Sequence, residues 1–160
     1  MAEQKTNVMR LLEQKKVSYT AHSYPHGDTA VDGVTVAGLI GKDPGSVFKT
    51  LVARGASRNI LVFVIPVCAE LDLKRAAKAA GEKSVEMIHV SEINVLTGYV
   101  RGGCSPLGMK KQYKTFLDSS CLCRESIVVS AGKIGAQVEL APQELIRLTR
   151  AVTGDITKES

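Results

Sequence analysis

Apolar positions along the 160-residue chain switch period repeatedly, from helical spacing to strand alternation and back. Thr6 stands as a cap before Val8, Met9, Leu11 and Leu12, which predicts a helix to about Lys16, and Val17 to Tyr24 then alternates as a strand does. A Pro-His-Gly-Asp loop follows at 25–28. Val34 to Ile40 predicts a short helix stopped at Gly41, and Asp43-Pro44 opens another helical turn. Val47 to Arg54 and Ile60 to Val67 are β-rich runs flanking residues 55–59, the spacing of a hairpin. Asp72 caps a helix to Ala80 with Gly81 as its stop, Val85 to His89 predicts a short strand, and Ser91 caps a helix ending at Gly98. Beyond a glycine-rich loop, residues 115–117 and 127–130 are β-prone, and 131–135 turn the chain into a strand over 136–140. Pro142 then opens a last helix whose apolar face is Leu145, Ile146, Leu148 and Val152.

Strands and helices thus intermix without a regular βαβ repeat. That order predicts an α/β mixed single domain, with a mixed and largely antiparallel sheet or partly closed barrel surrounded by helices, rather than a doubly wound fold. The length fits one domain, expected over 1–154, with 155–160 as a polar C-terminal tail. A hydrophobic share of 44% is ordinary for a packed core, and with 4% aromatics and no Trp that core must be built from Val, Leu, Ile and Ala.

The net charge of +5, from 21 Lys plus Arg against 16 Asp plus Glu, favours a polyanion such as RNA without requiring one. Basic clusters fall at Lys15-Lys16, at Lys74-Arg75 with Lys78, and at Lys110-Lys111 with Lys114. The N-terminus lacks the basic-then-apolar design of a secretory signal, and no apolar run approaches the roughly 18 residues of a membrane span, so a soluble cytoplasmic protein with no membrane partner is expected. Cys68, Cys104, Cys121 and Cys123 do not form paired C-x-x-C ligands, and reduced, mostly buried thiols with no metal are expected.

Candidate chemistry concentrates in few places. Residues 98–111 place the glycine pair Gly102-Gly103 and the Ser105-Pro106 turn after a helix, where main-chain N–H groups can approach an oxygen-rich ligand that a Cβ would hold away. Lys49 shares an otherwise apolar strand face with Val47, Leu51 and Ala53; it guards a sheet edge, snorkels its stem along the face to water, or serves as a fixed donor to a carbonyl or phosphate oxygen. Thr50 points to the other face, Tyr24 ends the first strand, and Ser130 sits between a strand and a glycine turn, where a hydroxyl commonly caps local backbone. Cys104 has no His nearby in sequence and is read as an inert thiol, and neither glycine segment fits a phosphate-loop motif.

Taken together, Phe48-Lys49-Thr50-Leu51, Lys83-Ser-Val-Glu86-Met87, the run Thr97 to Lys111 and Val129-Ser130-Ala-Gly132-Lys133 resemble the YbaK/EbsC family nearly end to end. What the resemblance implies is a hydrolytic editing enzyme, similar to the Cys-tRNA(Pro) deacylases, that needs no cofactor and takes mischarged Cys-tRNA(Pro) left by prolyl-tRNA synthetase, its expected partner. The family's essential lysine falls on Lys49 and its substrate pocket on Tyr24, Thr50, Gly102 and Ser130, with backbone N–H groups around Gly102 and Gly103 expected to face the developing oxyanion. The substrate's own thiol is expected to attack its ester. The chain departs from the pattern at Cys104, Ala131 and Ile134, which bears on pocket shape. Alternatives are an Ala-tRNA(Pro) editing relative, and a non-catalytic module that holds an aminoacyl-tRNA or docks on a synthetase.

Overall fold

In a computed structural model, which describes residues 5–27 and 29–159, most elements form where the caps and periods place them. The Thr6 hydroxyl accepts from the Met9 N–H at 3.2 Å and starts α1 (Asn7–Gln14), and strand β1 (Thr20–Ser23) follows. The last residue of the predicted 25–28 loop, Asp28, lies outside the described residues, as does Ser160. The Asp32 carboxylate caps α2 (Gly33–Leu39), and Asp43 caps a 3₁₀ turn at Pro44–Ser46. Strands β2 (Phe48–Gly55) and β3 (Ile60–Pro66) form the predicted hairpin, and α3 (Leu73–Ala80) runs from its Asp72 cap to a left-handed Gly81. There follow β4 (Val85–Met87), α4 (Val90–Thr97), β5 (Lys114–Asp118), β6 (Ile127–Lys133), β7 (Ala136–Leu140), α5 (Pro142–Thr149) and β8 (Val152–Gly154).

Two sheets result, and they meet without closing. One is antiparallel in the order β1-β7-β6; the other is mixed, β4-β2-β3-β5-β8, antiparallel through its first three strands and parallel through β3-β5-β8. A single parallel bridge, Val47↔Val128, joins them, and the Val67 N–H donates to the Val47 carbonyl at 2.8 Å. The expected mixed, largely antiparallel architecture is therefore present as two sheets with helices around them. Strand β3 is buried on both faces, which is why it reads as an unbroken apolar run. Phe48, Val62, Val64, Leu117, Val129 and Val138 pack between the sheets against Val8 and Leu12 of α1 and Leu145 of α5. Leu61, Phe63, Ile65 and Phe116 pack on the other side against Ala76 and Ala77 of α3, with the Phe63 and Phe116 rings stacked at 5.3 Å. Among the described residues no helix is long and apolar enough to cross a membrane.

Three local expectations are corrected. Helix α4 begins one residue after His89, not at Ser91: the Glu92 carboxylate accepts the His89 N–H at 3.1 Å, so the chain reverses before Ser91 can cap it. Val152 is not on the face of α5 but in β8, half-exposed, because Arg150 adopts a left-handed backbone (φ 58°) that ends the helix. The stretch expected to be a polar tail holds a fully buried Ile156, whose carbonyl accepts from the Asp72 N–H at 2.8 Å and whose N–H donates to Asp118 at 3.3 Å. One apolar residue in a polar segment carries no periodic signal, so only docking reveals it. The thiols also divide: Cys121 is buried and Cys104 partly so, while Cys68 and Cys123 are exposed.

Candidate functional site

The gap between the two sheets creates the site. Strand β2 pairs with β3 along one edge over residues 48–54, but on its other edge β4 reaches only residues 53–55 and the β6 bridge only Val47. Residues 48–51 thus border a cleft of about 880 Å³, lined on its other sides by the start of α2, by residues 100–102 and 104, and by the β6–β7 strands. A largely apolar, partly open recess of this size with a few convergent polar groups is the usual form of a small-ligand site.

Lys49 and Thr50 both border the cleft, although strand alternation sends them to opposite faces. Lys49 is half-buried, and no ion-pair partner of its ammonium lies within 4.0 Å among the described residues. Its charge adds to the hold on Asp32, whose carboxyl is kept below its ordinary value first by the Thr35 hydroxyl, then by the Val34 and Thr35 N–H groups. Thr50 carries the clearest chemical signal. Its hydroxyl is buried and has no hydrogen-bond partner among the described residues, and a buried hydroxyl left unpaired costs about 1–3 kcal/mol.

The loop after α4 is held from within. Gly98 takes a left-handed φ of 87°, the Lys110 N–H returns to the Thr97 carbonyl at 3.0 Å, and the Tyr99 hydroxyl donates to the Leu107 carbonyl. Gly102 lines the cleft with φ 87°, and a Cβ there would lie 2.6 Å from that of Ala30, so the position admits only glycine. Gly103 does not line the cleft. Its N–H already donates to the Val100 carbonyl at 3.0 Å, and a Cβ would come within 3.0–3.2 Å of the backbone of Lys133 and Ile134; its task is to let the loop rest on the β6–β7 turn. Of the two amides expected to face an oxyanion, that of Gly103 is thus engaged within the loop, while Gly102 borders the cleft.

Tyr24 lines the cleft with its ring buried edge-on to His26, and its N–H donates to the Gly135 carbonyl at 3.1 Å. The Ser130 hydroxyl also faces this space but accepts from the Gly132 N–H at 3.1 Å, the local cap its position predicted. Cys104 is on the wall as well, and burial pushes its thiol up to about 11, so it stays protonated at neutral pH. Lys49, Thr50, Tyr24, Gly102 and Ser130 are therefore brought together, and Gly103 is not.

Two wall residues escaped the sequence reading. Asp32 is legible as a helix cap but not as a neighbour of Lys49. Gln137, only 6% exposed, sits directly opposite Ser130 in the β6–β7 register and lines the cleft. Nothing in the alternation marks it, because Gln137 and Glu139 together read as the solvent face of β7. Among the described residues no cluster of three His, Cys, Asp or Glu could hold a metal ion.

Residues 25–148 match the family model of the aminoacyl-tRNA editing domain. The chain is 46% identical over 97% of its length, and 94% of the relative's, to EbsC of Enterococcus faecalis, whose name proposes a Cys-tRNA(Pro)/Cys-tRNA(Cys) deacylase. Among solved structures, one described as a proposed trans-editing enzyme for prolyl-tRNA synthetase superposes with a TM-score of 0.82 at 23% identity, covering 98% of this chain and 100% of the other. The hypothetical protein APE2540 superposes with a TM-score of 0.83 at 24% identity, covering 94% and 99%; at these identities the two structures speak for the fold alone. Sequence match and fold agree over nearly the whole chain: it belongs to the aminoacyl-tRNA editing domain family, hydrolases that release an amino acid from tRNA.

Proposed function

We propose that this protein acts in trans to remove cysteine from Cys-tRNA(Pro), the product of mischarging by prolyl-tRNA synthetase. The observation that carries the reading is the 46% identity, nearly end to end, to a relative whose name proposes that activity. The cleft has a chemistry that suits it. Lys49 holds the aminoacyl end as a fixed cationic donor, the Thr50 hydroxyl gains in the substrate the partner it otherwise lacks, and the Gly102 N–H faces the carbonyl oxygen as it becomes negative. Cys104 is partly buried and protonated, a poor nucleophile, which favours attack by the substrate. The substrate thiol gives up its proton as its sulfur adds to its own ester carbonyl, the C–O bond to the ribose breaks, and that proton leaves on the tRNA hydroxyl. The cyclic thioester so formed is opened by water to free cysteine.

The test is release of labelled cysteine from Cys-tRNA(Pro), beside Ala-tRNA(Pro), by the protein and its Lys49→Ala variant, with and without the synthetase. Loss of one oxyanion-type contact is worth about 10²–10³ in rate, so Lys49→Ala should lower the rate at least 100-fold with an unchanged melting temperature. Normal hydrolysis by Lys49→Ala would overturn the role given to that residue. Loss of alanine rather than cysteine would reassign the substrate, and retention of both amino acids with tight binding would make the protein a carrier.

A further inference from the structure

A second concavity, of about 390 Å³, lies at the opposite end of the β2–β3 hairpin from Lys49. It is lined by Arg58 and Asn59 of the hairpin turn, by Glu82, and by Lys111, Gln112 and Lys114 where the long loop enters β5. From Lys49 to Gly55 at the turn is six residues of extended strand, about 20 Å at roughly 3.3 Å per residue. The two hollows are therefore separate, and the loop 98–111 runs from one to the other: Arg101 and Gly102 line the cleft, Lys111 the groove.

The segments that carry the cations of this groove are anchored: the Arg58 N–H donates to the Gly55 carbonyl at 2.9 Å, and between Lys111 and Lys114 the Gln112 side-chain amide donates to the Thr149 carbonyl at 3.0 Å and the Tyr113 hydroxyl to the Leu96 carbonyl at 2.7 Å. Arg58, Lys111 and Lys114 are exposed, and among the described residues none forms an ion pair within 4.0 Å, which is equally true of Lys15, Lys16 and Lys74. The Lys114 ammonium lies 5.6 Å from the Phe116 ring centroid and, after the Ser57 bonds, adds to the pull on the Glu82 carboxyl. The one acid present, Glu82, is engaged at 2.6 Å by the Ser57 hydroxyl and at 3.0 Å by the Ser57 N–H.

We propose that this groove binds the phosphodiester backbone of the tRNA body while the charged 3′ end occupies the Lys49 cleft. Exposed cations without ion-pair partners, gathered in one concavity, match a row of single negative charges, and the separation of about 20 Å means that one substrate must be long to engage both. The proposal rests on the aminoacyl-tRNA reading of the cleft and adds to it where the rest of the substrate lies.

The experiment compares the wild type with a triple variant, Arg58→Gln, Lys111→Gln and Lys114→Gln, and with a control triple, Lys15→Gln, Lys16→Gln and Lys74→Gln, that removes the same charge elsewhere. Binding of uncharged tRNA is followed by fluorescence anisotropy from 50 to 200 mM salt, and deacylation is measured on full Cys-tRNA(Pro) and on a cysteinylated four-nucleotide 3′ fragment. The groove variant should bind tRNA about tenfold more weakly, with a log–log salt slope shallower by about 2–3, and lose activity on tRNA through KM while the fragment is hydrolysed as by wild type. An unchanged salt slope, or an equal effect of the control triple, would overturn the proposal. A groove-dependent slope in a protein that hydrolyses neither substrate would instead retire the deacylase reading and leave the groove standing.

Discussion

Two buried polar groups in this protein have opposite surroundings. The Glu139 carboxylate, with a side chain 16% exposed, takes His22 Nε2 at 2.8 Å, Lys42 Nζ at 3.0 Å and the Ser126 hydroxyl, and so ties β7 to β1, to the segment after α2 and to the approach to β6. The Thr50 hydroxyl, on the wall of the cleft, has no partner among the described residues. A saturated polar group is part of the scaffold, while an orphaned one beside an open recess holds a hydrogen bond in reserve for a ligand. By this contrast Ser130, which spends its hydroxyl on Gly132, stands nearer to Glu139 than to Thr50, although it shares the cleft with Thr50.

Substitutions can break the contrast from either side. The largest stability effect is expected at Glu139, where the bonds from Ser126, His22 and Lys42 outweigh the burial that opposes them and hold the carboxyl down to about 2. A carboxyl lowered in the folded state stabilises the fold above its unfolded value near 4.5, and that contribution disappears as pH falls toward about 2. Glu139→Gln should therefore cost about 2 kcal/mol at pH 7, and its difference from wild type in urea unfolding should shrink between pH 4.5 and 2. A pH-independent difference would deny Glu139 its charged role.

Thr50→Val should do the reverse. Replacing an unpaired hydroxyl with a methyl leaves stability unchanged or raises it by up to ~1 kcal/mol, while kcat/KM for aminoacyl-tRNA falls about tenfold. A destabilised variant with full activity would show that the hydroxyl is structural after all. Ser130→Ala should cost about 1 kcal/mol by stranding the Gly132 N–H, with a smaller effect on turnover than Thr50→Val. The smallest effect is a reactivity pattern: with iodoacetamide at pH 8, the exposed Cys68 and Cys123 should be modified well before Cys104, whose thiol sits at about 11. Rapid labelling of Cys104 would mean that the cleft wall is more open than its burial indicates.

Much of the candidate site came from the family resemblance, and some of its members also carry local signals. Lys49 interrupts an apolar strand face, Gly102 sits in a glycine-rich run and takes a positive φ, and Ser130 lies two residues before a glycine, within β6 rather than at its end. The part that was not legible involves groups whose local role and tertiary role differ. Gln137 alternates as a solvent-facing residue but is buried where the β6–β7 pair folds over the cleft. Gly103 carries the same local signature as Gly102, yet its amide is consumed by Val100, and only the packed loop separates the two. Asp32 and Lys49 are 17 positions apart in sequence and share one recess.

Period, caps and glycine stops in the sequence determined which segments are helices and strands, because those signals act within a few residues, and the order of motifs determined the family. Tertiary structure alone decided that β2 leaves one edge open between β4 and the β6 bridge, that Ile156 is buried, and that Arg58 meets Lys111 and Lys114. Those outcomes depend on contacts between segments far apart in the chain, whose free energy appears only once both partners are in place and the entropy of closing the loop between them has been overcome.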